Sequence, residues 1–220
     1  MRPALLFAVL RPEPGDLADF YAWYEAEHVA GRLGMPGFDQ AHRYRTDDDT
    51  DRGILLYELD GLAALQTPEY RALQESTRSV TEQRMGGLRQ FVRVTGEVIQ
   101  EYGEAAGPAP LLYAVAFAAP AADLDRLDAW YQDEHVPALL EADTWLGVRV
   151  VDVAASNTGW TRLALHRLAD ESALSSPERR AAGRTPGRER LAELAWFQQS
   201  SRFLGRQVGR FDTVDAARDE

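Results

Sequence analysis

Two histidines are the strongest candidates for catalytic residues in this chain, because both occur in one repeated motif. Residues 22–29 are Ala-Trp-Tyr-Glu-Ala-Glu-His-Val, and residues 129–136 are Ala-Trp-Tyr-Gln-Asp-Glu-His-Val. An imidazole titrates near neutral pH and can take or give a proton without a cofactor. On a helix, Tyr24 and His28 would share a face, since they lie four residues apart. The motif therefore predicts His28 as a general acid or base and Tyr24 as its partner.

The second copy repeats this pair as Tyr131 and His135, which makes His135 a further catalytic candidate and Tyr131 a substrate-binding one. Trp23 would supply a flat wall for an aromatic substrate. A structural interpretation is also open: Trp and Tyr would pin the helix to a sheet, and the His would cap the helix end, where its charge is favoured. A third interpretation makes either His28 or His135 a haem ligand.

The stretch Phe38–Arg45 is predicted to be a strand with polar groups on both faces. Alternation puts one set of side chains on one face (Phe38, Gln40, His42, Tyr44) and the other set on the opposite face (Asp39, Ala41, Arg43, Arg45). Buried polar groups must be paired or line a wet cavity. Phe38, His42, Arg43 and Tyr44 are therefore substrate-binding candidates. An edge strand that meets solvent is the alternative.

The equivalent stretch of the second copy is more apolar and offers mainly Arg149, at the position of His42. This asymmetry predicts that the first copy holds the working site. On that reasoning, His28→Ala should abolish turnover, and His135→Ala should cost stability more than activity.

The elements that must position these residues also occur twice, at an offset of 107 residues. Each half has the predicted order β-α-β-β-α-β, the ferredoxin-like split unit, which makes the chain an α+β protein. The predicted domains are residues 1–104 and 108–220, joined by a Gly- and Pro-rich linker. Because the first and third strands are apolar at nearly every position, both faces of each antiparallel sheet need cover. Packing of the two sheets together as one intramolecular α/β barrel, a pseudo-dimer, would supply it.

The chain resembles the dimeric α/β-barrel superfamily, and within it the EthD-like branch, in a tandem-duplicated form. The resemblance rests on Trp23-Tyr24-x-x-Glu27-His28, on Pro36-Gly37-Phe38 with Arg43-Tyr44, and on Trp130-Tyr131-x-x-Glu134-His135. It implies a fused barrel. It also implies one of several activities, since the superfamily includes cofactor-free monooxygenases, polyketide cyclases, dehydratases, decarboxylases, isomerases and haem-handling proteins.

The amino-acid composition limits the kinds of partner that the protein is expected to bind. The net charge of −11 and the lack of a basic stripe argue against nucleic acid and anionic membranes. The chain has no Cys, and local spacing of His, Asp and Glu supports no metal site. The Arg-rich run at residues 179–190 is predicted to be a solvated helix and turn, with an anion site as the alternative. A cytoplasmic monomer or simple homodimer is expected.

These observations together predict a cofactor-independent acid/base enzyme. Its substrate would be a small aromatic or polyketide-like molecule, and its reaction a cyclisation, dehydration, decarboxylation or isomerisation by proton transfer next to a carbonyl. The alternatives are a haem-binding protein or cofactor-free monooxygenase of the same fold, and a non-catalytic small-molecule-binding protein.

Overall fold

The computed structural model describes residues 2–46, 48 and 50–213. Within them the chain groups into two compact units: residues 2–97 with 208–213, and residues 98–207. Each unit has its own apolar core between strands and helices. The domain boundary proposed from the sequence, between residues 104 and 108, stays a prediction.

In the part of the chain that the structure describes, the strands form a closed antiparallel barrel in the order β1-β3-β2-β8-β5-β7-β6-β4, which confirms the predicted fold class. The strands are β1 (Ala4–Arg11), β2 (Phe38–Thr46), β3 (Gly53–Leu59), β4 (Gln90–Gly103), β5 (Leu111–Phe117), β6 (Trp145–Ser156), β7 (Arg162–Leu168) and β8 (Ser201–Asp212). In the first unit β1 pairs with β3 and β4, and in the second β5 pairs with β7 and β8. This equivalent pairing is what the duplicated sequence predicts.

The helices follow the same duplicated order. The first unit holds α1 (Leu17–Trp23), α2 (Ala30–Leu33), α3 (Pro68–Ser76) and α4 (Arg78–Gly86), and the second holds α5 (Leu124–Trp130), α6 (Val136–Leu139), α7 (Pro177–Ala182), α8 (Pro186–Ala192) and α9 (Ala195–Gln198). α3, α7 and α8 each begin with Pro after a Thr or Ser whose hydroxyl accepts a backbone N–H of the first turn. No helix among the described residues is long and apolar enough to cross a membrane.

A β-bulge in β2 corrects the face assignment made from alternation. Phe38 pairs with Leu59 and Gln40 pairs with Glu58, so the ladder slips at Asp39. Phe38 consequently lies with Ala41 in the helix-side core. The prediction that Phe38 shares a face with Gln40, His42 and Tyr44 is wrong, because simple alternation has no place for the extra residue.

Candidate functional site

The repeated motif lies on a π-helical turn in the first unit. This turn, Tyr24–Val29, joins α1 to α2. Such turns are rare and often occur at functional sites. A π turn brings residues five apart onto one face, so both Trp23 and Tyr24 contact the ring of His28. The ring centroids lie 5.5 Å apart for Trp23 and His28 and 4.4 Å apart for Tyr24 and His28.

His28 and Tyr24 line a cavity of about 260 Å³ between the sheet and the helices of the first unit. Most of its wall is apolar or aromatic, with two guanidinium groups and a carboxylate added. The remaining lining residues are Leu6, Ala8, Arg32, Tyr57, Tyr70, Gln74, Thr81, Glu82, Met85, Phe91 and Arg93. A smaller cavity of about 110 Å³ touches His28 from the side of Trp23.

Burial decides the protonation state of both catalytic candidates. Burial, and after it the charge of the nearby Arg32 guanidinium, lowers the pKa of His28 to about 2. Burial also raises the pKa of the Tyr24 hydroxyl, so the phenol keeps its proton. Arg32 is held in place by a hydrogen bond from Nη1 to the His28 carbonyl, 2.9 Å. At neutral pH the site thus offers a neutral imidazole, a phenol donor and a fixed positive charge.

The second unit repeats the π-helical turn at Tyr131–His135, between α5 and α6. Here the His135 ring stacks on Trp130, with centroids 4.2 Å apart, and lies 5.2 Å from the ring of Tyr131. Its Nδ1 lies 3.2 Å from the carbonyl oxygen of Ala182. A carbonyl can only accept, so Nδ1 holds the proton and Nε2 keeps its lone pair. Burial lowers the pKa of His135 to about 3.

A cavity of about 210 Å³ lies beside Tyr131 and His135 in the second unit. Its wall differs in charge from that of the first unit, because it has three guanidinium groups and a second imidazole. The remaining lining residues are Tyr113, Val115, Phe117, Trp130, Trp145, His166, Arg179, Gly183, Arg188, Phe197 and Arg202.

The structure does not bring the strand candidates of the first copy to the first cavity. His42 and Tyr44 are buried, but they lie on the face of β2 opposite Ala41 and the helix-side core. Arg43 forms an ion pair with Glu25 and lies over the ring of Tyr21, with 4.7 Å to its centroid. None of the three is among the residues that line the cavity.

Two further candidates lie outside the cavities. Phe38 packs on the ring of Tyr70, with centroids 5.2 Å apart, and so supports a lining residue from behind. Arg149 is buried on the face of β6 opposite Val148 and Val150, which belong to the helix-side core of the second unit. Their proposed roles in substrate binding therefore stay predictions without a place in either cavity.

Several lining residues were not predicted from the sequence. The offset between the two copies changes by two residues after the second strand, so equivalent residues do not align at the offset of 107. Tyr57 pairs with Leu6 in the first unit, and His166 pairs with Tyr113 at the same place in the second. Arg93 pairs with Ala8, and Arg202 with Val115. An alignment of the halves that allowed this slip would have matched both pairs. The equivalent residues are Tyr57 with His166 and Arg93 with Arg202. The same slip aligns Tyr70 with Arg179, since each is the third residue of its helix, α3 and α7.

The run at residues 179–190, predicted to be a solvated helix and turn with an anion site as the alternative, is only partly exposed at two of its arginines. Arg179 and Arg188 line the second cavity, whereas Arg180, Arg184 and Arg190 are exposed. Each of the short helices α7 and α8 thus has one arginine at the cavity and another that is exposed to solvent. Charge content alone does not show this difference.

Comparison with solved structures finds this architecture in proteins of low sequence identity. An anthrone oxidase-like protein aligns with a TM-score of 0.71 at 11% identity, over 96% of this chain and 93% of that one. A candidate monooxygenase from Fusobacterium nucleatum subsp. nucleatum aligns at 0.61 and 9%, over 96% and 94%. A chlorite dismutase variant from Candidatus Nitrospira defluvii aligns at 0.60 and 12%, over 94% and 91%.

The chain has the fold of the dimeric α/β-barrel superfamily. It has this fold in a fused form, with both halves in one chain. No protein-family model and no curated protein matches the sequence. The EthD-like branch thus remains a resemblance that the motif indicates, and at these identities the likeness to solved structures is one of fold alone.

Haem is an alternative that the dimeric α/β-barrel resemblance brings for either cavity. Cavities for drug-sized ligands measure roughly 300–1,000 Å³. Those beside His28 and His135 measure about 260 and 210 Å³, below that range. Among the described residues, no three His, Asp or Glu side chains lie close enough together to hold a metal ion.

Proposed function

We propose that the first unit catalyses cofactor-independent proton abstraction next to a carbonyl group of a small aromatic or polyketide-like molecule. The observation on which the proposal rests is the His28 ring. It is neutral, lines the cavity beside Tyr24, and makes no hydrogen bond within the described part of the chain. A general base needs such a lone pair within reach of a bound substrate.

A pKa near 2 makes the resting imidazole a weak base, so the site must stabilise the charge that develops on the substrate. Proton transfer to His28 creates an imidazolium and an enolate together, and the two charges attract each other in a buried cavity. Arg32 and the Tyr24 hydroxyl line the same cavity and can donate to the enolate oxygen. Catalysis would then depend on a substrate whose anion is delocalised.

The aromatic wall supports a flat, apolar substrate. Tyr24, Tyr57, Tyr70 and Phe91 line the cavity together with aliphatic side chains. Aromatic faces pack favourably on aromatic rings. The stabilised anion could then eliminate water, lose carbon dioxide, close a ring or be protonated elsewhere, which corresponds to the dehydratase, decarboxylase, cyclase and isomerase reactions.

Oxygenation without a cofactor is a second candidate, supported by the likeness to an anthrone oxidase-like protein and a candidate monooxygenase. It begins with the same proton abstraction. The substrate carbanion would react with dioxygen and a proton to give a hydroperoxide, and loss of water would leave a new carbonyl. Overall, one CH₂ group and O₂ become one C=O group and H₂O.

Hydrogen–deuterium exchange on anthrone separates these possibilities. Under argon in D₂O, NMR measures proton abstraction at its CH₂ group. In air, oxygen uptake measures oxygenation. We expect the wild-type protein to accelerate exchange, His28→Gln to abolish the acceleration, and Tyr24→Phe to reduce it. His135→Gln is the matched control. Binding of anthrone and of other aromatic ketones without exchange above that of His28→Gln would instead support a non-catalytic binding protein. A visible absorption spectrum of the purified protein tests the haem alternative directly.

A further inference from the structure

The second unit contains a separate cluster of positive charge at its cavity. Arg179 lies at the start of the Arg-rich run, Arg188 lies on α8, and Arg202 lies on β8. Within the described part of the chain, none of the three forms an ion pair with a carboxylate. No Asp or Glu is among the cavity-lining residues. Three guanidinium groups around one small cavity without a carboxylate, in a chain of net charge −11, indicate a site for an anion.

The guanidinium groups act on one another and on the neighbouring rings. Burial, and then the charges of Arg202 and Arg179, lower the pKa of Arg188. The guanidinium of Arg188 also lies over the ring of Phe197, with 4.6 Å to its centroid. An anion bound among these groups would relieve their mutual repulsion, and guanidinium forks match the geometry of a carboxylate.

Two buried donors at the same cavity lack protein partners. His166 is 1% exposed, and neither of its ring nitrogens has a hydrogen-bond partner among the described residues. The indole Nε1 of Trp145, which is 3% exposed, likewise has none within the described chain. Such groups cost free energy when they are left unsatisfied, so each one points to a ligand or water. The two rings lie 5.5 Å apart, nearly perpendicular.

The remaining wall is aromatic. The His166 ring lies 5.7 Å from Tyr113 and 6.0 Å from Tyr131. Tyr131 lies 6.2 Å from Phe117, which stacks on Phe197 with centroids 5.5 Å apart. A flat ring covers such aromatic faces better than a small inorganic ion does.

The cavity of the first unit lacks the cluster of three arginines without a carboxylate that the second cavity has. At the places of His166 and Arg179 it has Tyr57 and Tyr70, and its lining includes a carboxylate, Glu82. The halves share the His and Tyr of the motif and one arginine, but they differ in the groups that would hold an anion.

We propose that the cavity of the second unit binds a small aromatic carboxylate, with its carboxylate held by Arg179 and Arg188 and its ring packed on the aromatic part of the lining. His166 and Trp145 would donate to the ligand. This site is separate from the one proposed for proton abstraction. Binding to it can therefore be measured without any catalytic turnover.

Fluorine NMR of 4-fluorobenzoate with the wild-type protein tests the proposal, and 4-fluorobenzamide is the neutral probe of the same shape. We expect the benzoate to bind at least 10-fold more tightly than the benzamide. Arg179→Gln and Arg188→Gln should each weaken benzoate binding about 10-fold. Arg180→Gln, in the adjacent exposed arginine, is the matched control and should leave binding unchanged.

His166→Phe, which keeps an aromatic ring but removes the nitrogens, should weaken benzoate binding with little effect on the benzamide. Equal affinity for the two probes, or unchanged benzoate binding in both arginine variants, would overturn the proposal. Displacement of the benzoate by equimolar sulfate would overturn its aromatic part. Loss of deuterium exchange in His28→Gln with benzoate binding intact would show that the two sites are independent.

Discussion

Trp130 and His135 stack their rings with centroids 4.2 Å apart and planes 28° from parallel, although five residues separate them in the sequence. The π-helical turn makes this contact, because a residue five positions away then lies on the same face. In the first unit, Trp23 and His28 meet at 5.5 Å and 56°. The same motif therefore positions its His against a Trp in both halves, with tighter stacking in the second.

Truncation of either Trp should destabilise the protein. Trp23 and Trp130 are both buried, in keeping with the interpretation that Trp pins the helix to the sheet. Trp23→Ala and Trp130→Ala should each cost about 3–5 kcal/mol of unfolding free energy, measured by urea denaturation. Phe variants separate packing from hydrogen bonding, because Trp130 Nε1 donates to Thr185 Oγ1 at 3.1 Å and Trp23 Nε1 has no partner among the described residues. Trp130→Phe should therefore cost about 1 kcal/mol more than Trp23→Phe. Equal losses would contradict this assignment.

The two matched His residues should respond differently to Ala substitution. His28→Ala should abolish proton abstraction with little loss of stability, since the His28 ring makes no hydrogen bond within the described chain. His135→Ala removes a buried hydrogen bond to Ala182 that ties the π turn to α7, and so it should lower the melting temperature. Exchange kinetics and thermal unfolding on both variants provide the measurement. Equal losses of activity would indicate two working sites, and a loss in His135→Ala alone would place the chemistry in the second unit.

Stability should fall as the pH falls below about 6.5. Burial lowers the pKa of His28 to about 2, that of His135 to about 3, and that of His166 well below its usual value. Between the folded and unfolded pKa values, only the unfolded chain takes up these protons, so acidification favours unfolding. Above pH 6.5 all three are neutral in both states and have no effect.

Each of these three His residues should lower the free energy of unfolding by up to about 1.4 kcal/mol for each pH unit of acidification. Urea denaturation between pH 6.5 and 5.5 should detect this slope before most carboxylates titrate. His166→Gln should remove about a third of it. A slope that His166→Gln leaves unchanged would show that this imidazole is already protonated in the folded protein.

The rate of proton abstraction should show no step near pH 6.5. His28 is neutral throughout the range from pH 5.5 to 8, because its pKa lies near 2. Deuterium exchange on anthrone, measured over this range with correction for the solvent-catalysed rate, should stay nearly constant per folded molecule. A decrease toward acid with a midpoint near 6.5 would show that substrate binding restores the ordinary pKa of His28.

Gly187→Ala should destabilise the second unit. A Cβ at Gly187 would lie 2.6 Å from Glu134 Oε1 and 2.7 Å from Trp130 Cδ1, and the Gly187 N–H donates to Glu134 at 2.7 Å. The expected cost is about 1–3 kcal/mol of unfolding free energy. Gly86→Ala in α4 is the control, since its Cβ would meet nothing within 4 Å. That change should be neutral or stabilise by up to about 1 kcal/mol. Similar losses in both would argue against the contact.

The sequence alone determined the fold class and the two central pairs. The duplication, the apolar strands and the order of elements specify two ferredoxin-like halves, because each pattern follows from local geometry and the need to bury apolar surface. The spacing of Tyr24 with His28 and of Tyr131 with His135 placed each pair on one helical face, and the rings do lie close together.

The tertiary structure alone decided what surrounds those pairs. A bulge at Asp39 moved Phe38 to the other face of β2, and a π turn brought each Trp to its His. Both depend on hydrogen-bond slips that leave no mark on hydrophobic periodicity. Arg179 and Arg202 are distant in sequence from the motif of the second copy. They line the same cavity as His135 only because a helix and a strand pack around that cavity. Long-range packing of this kind is what sequence periodicity does not encode.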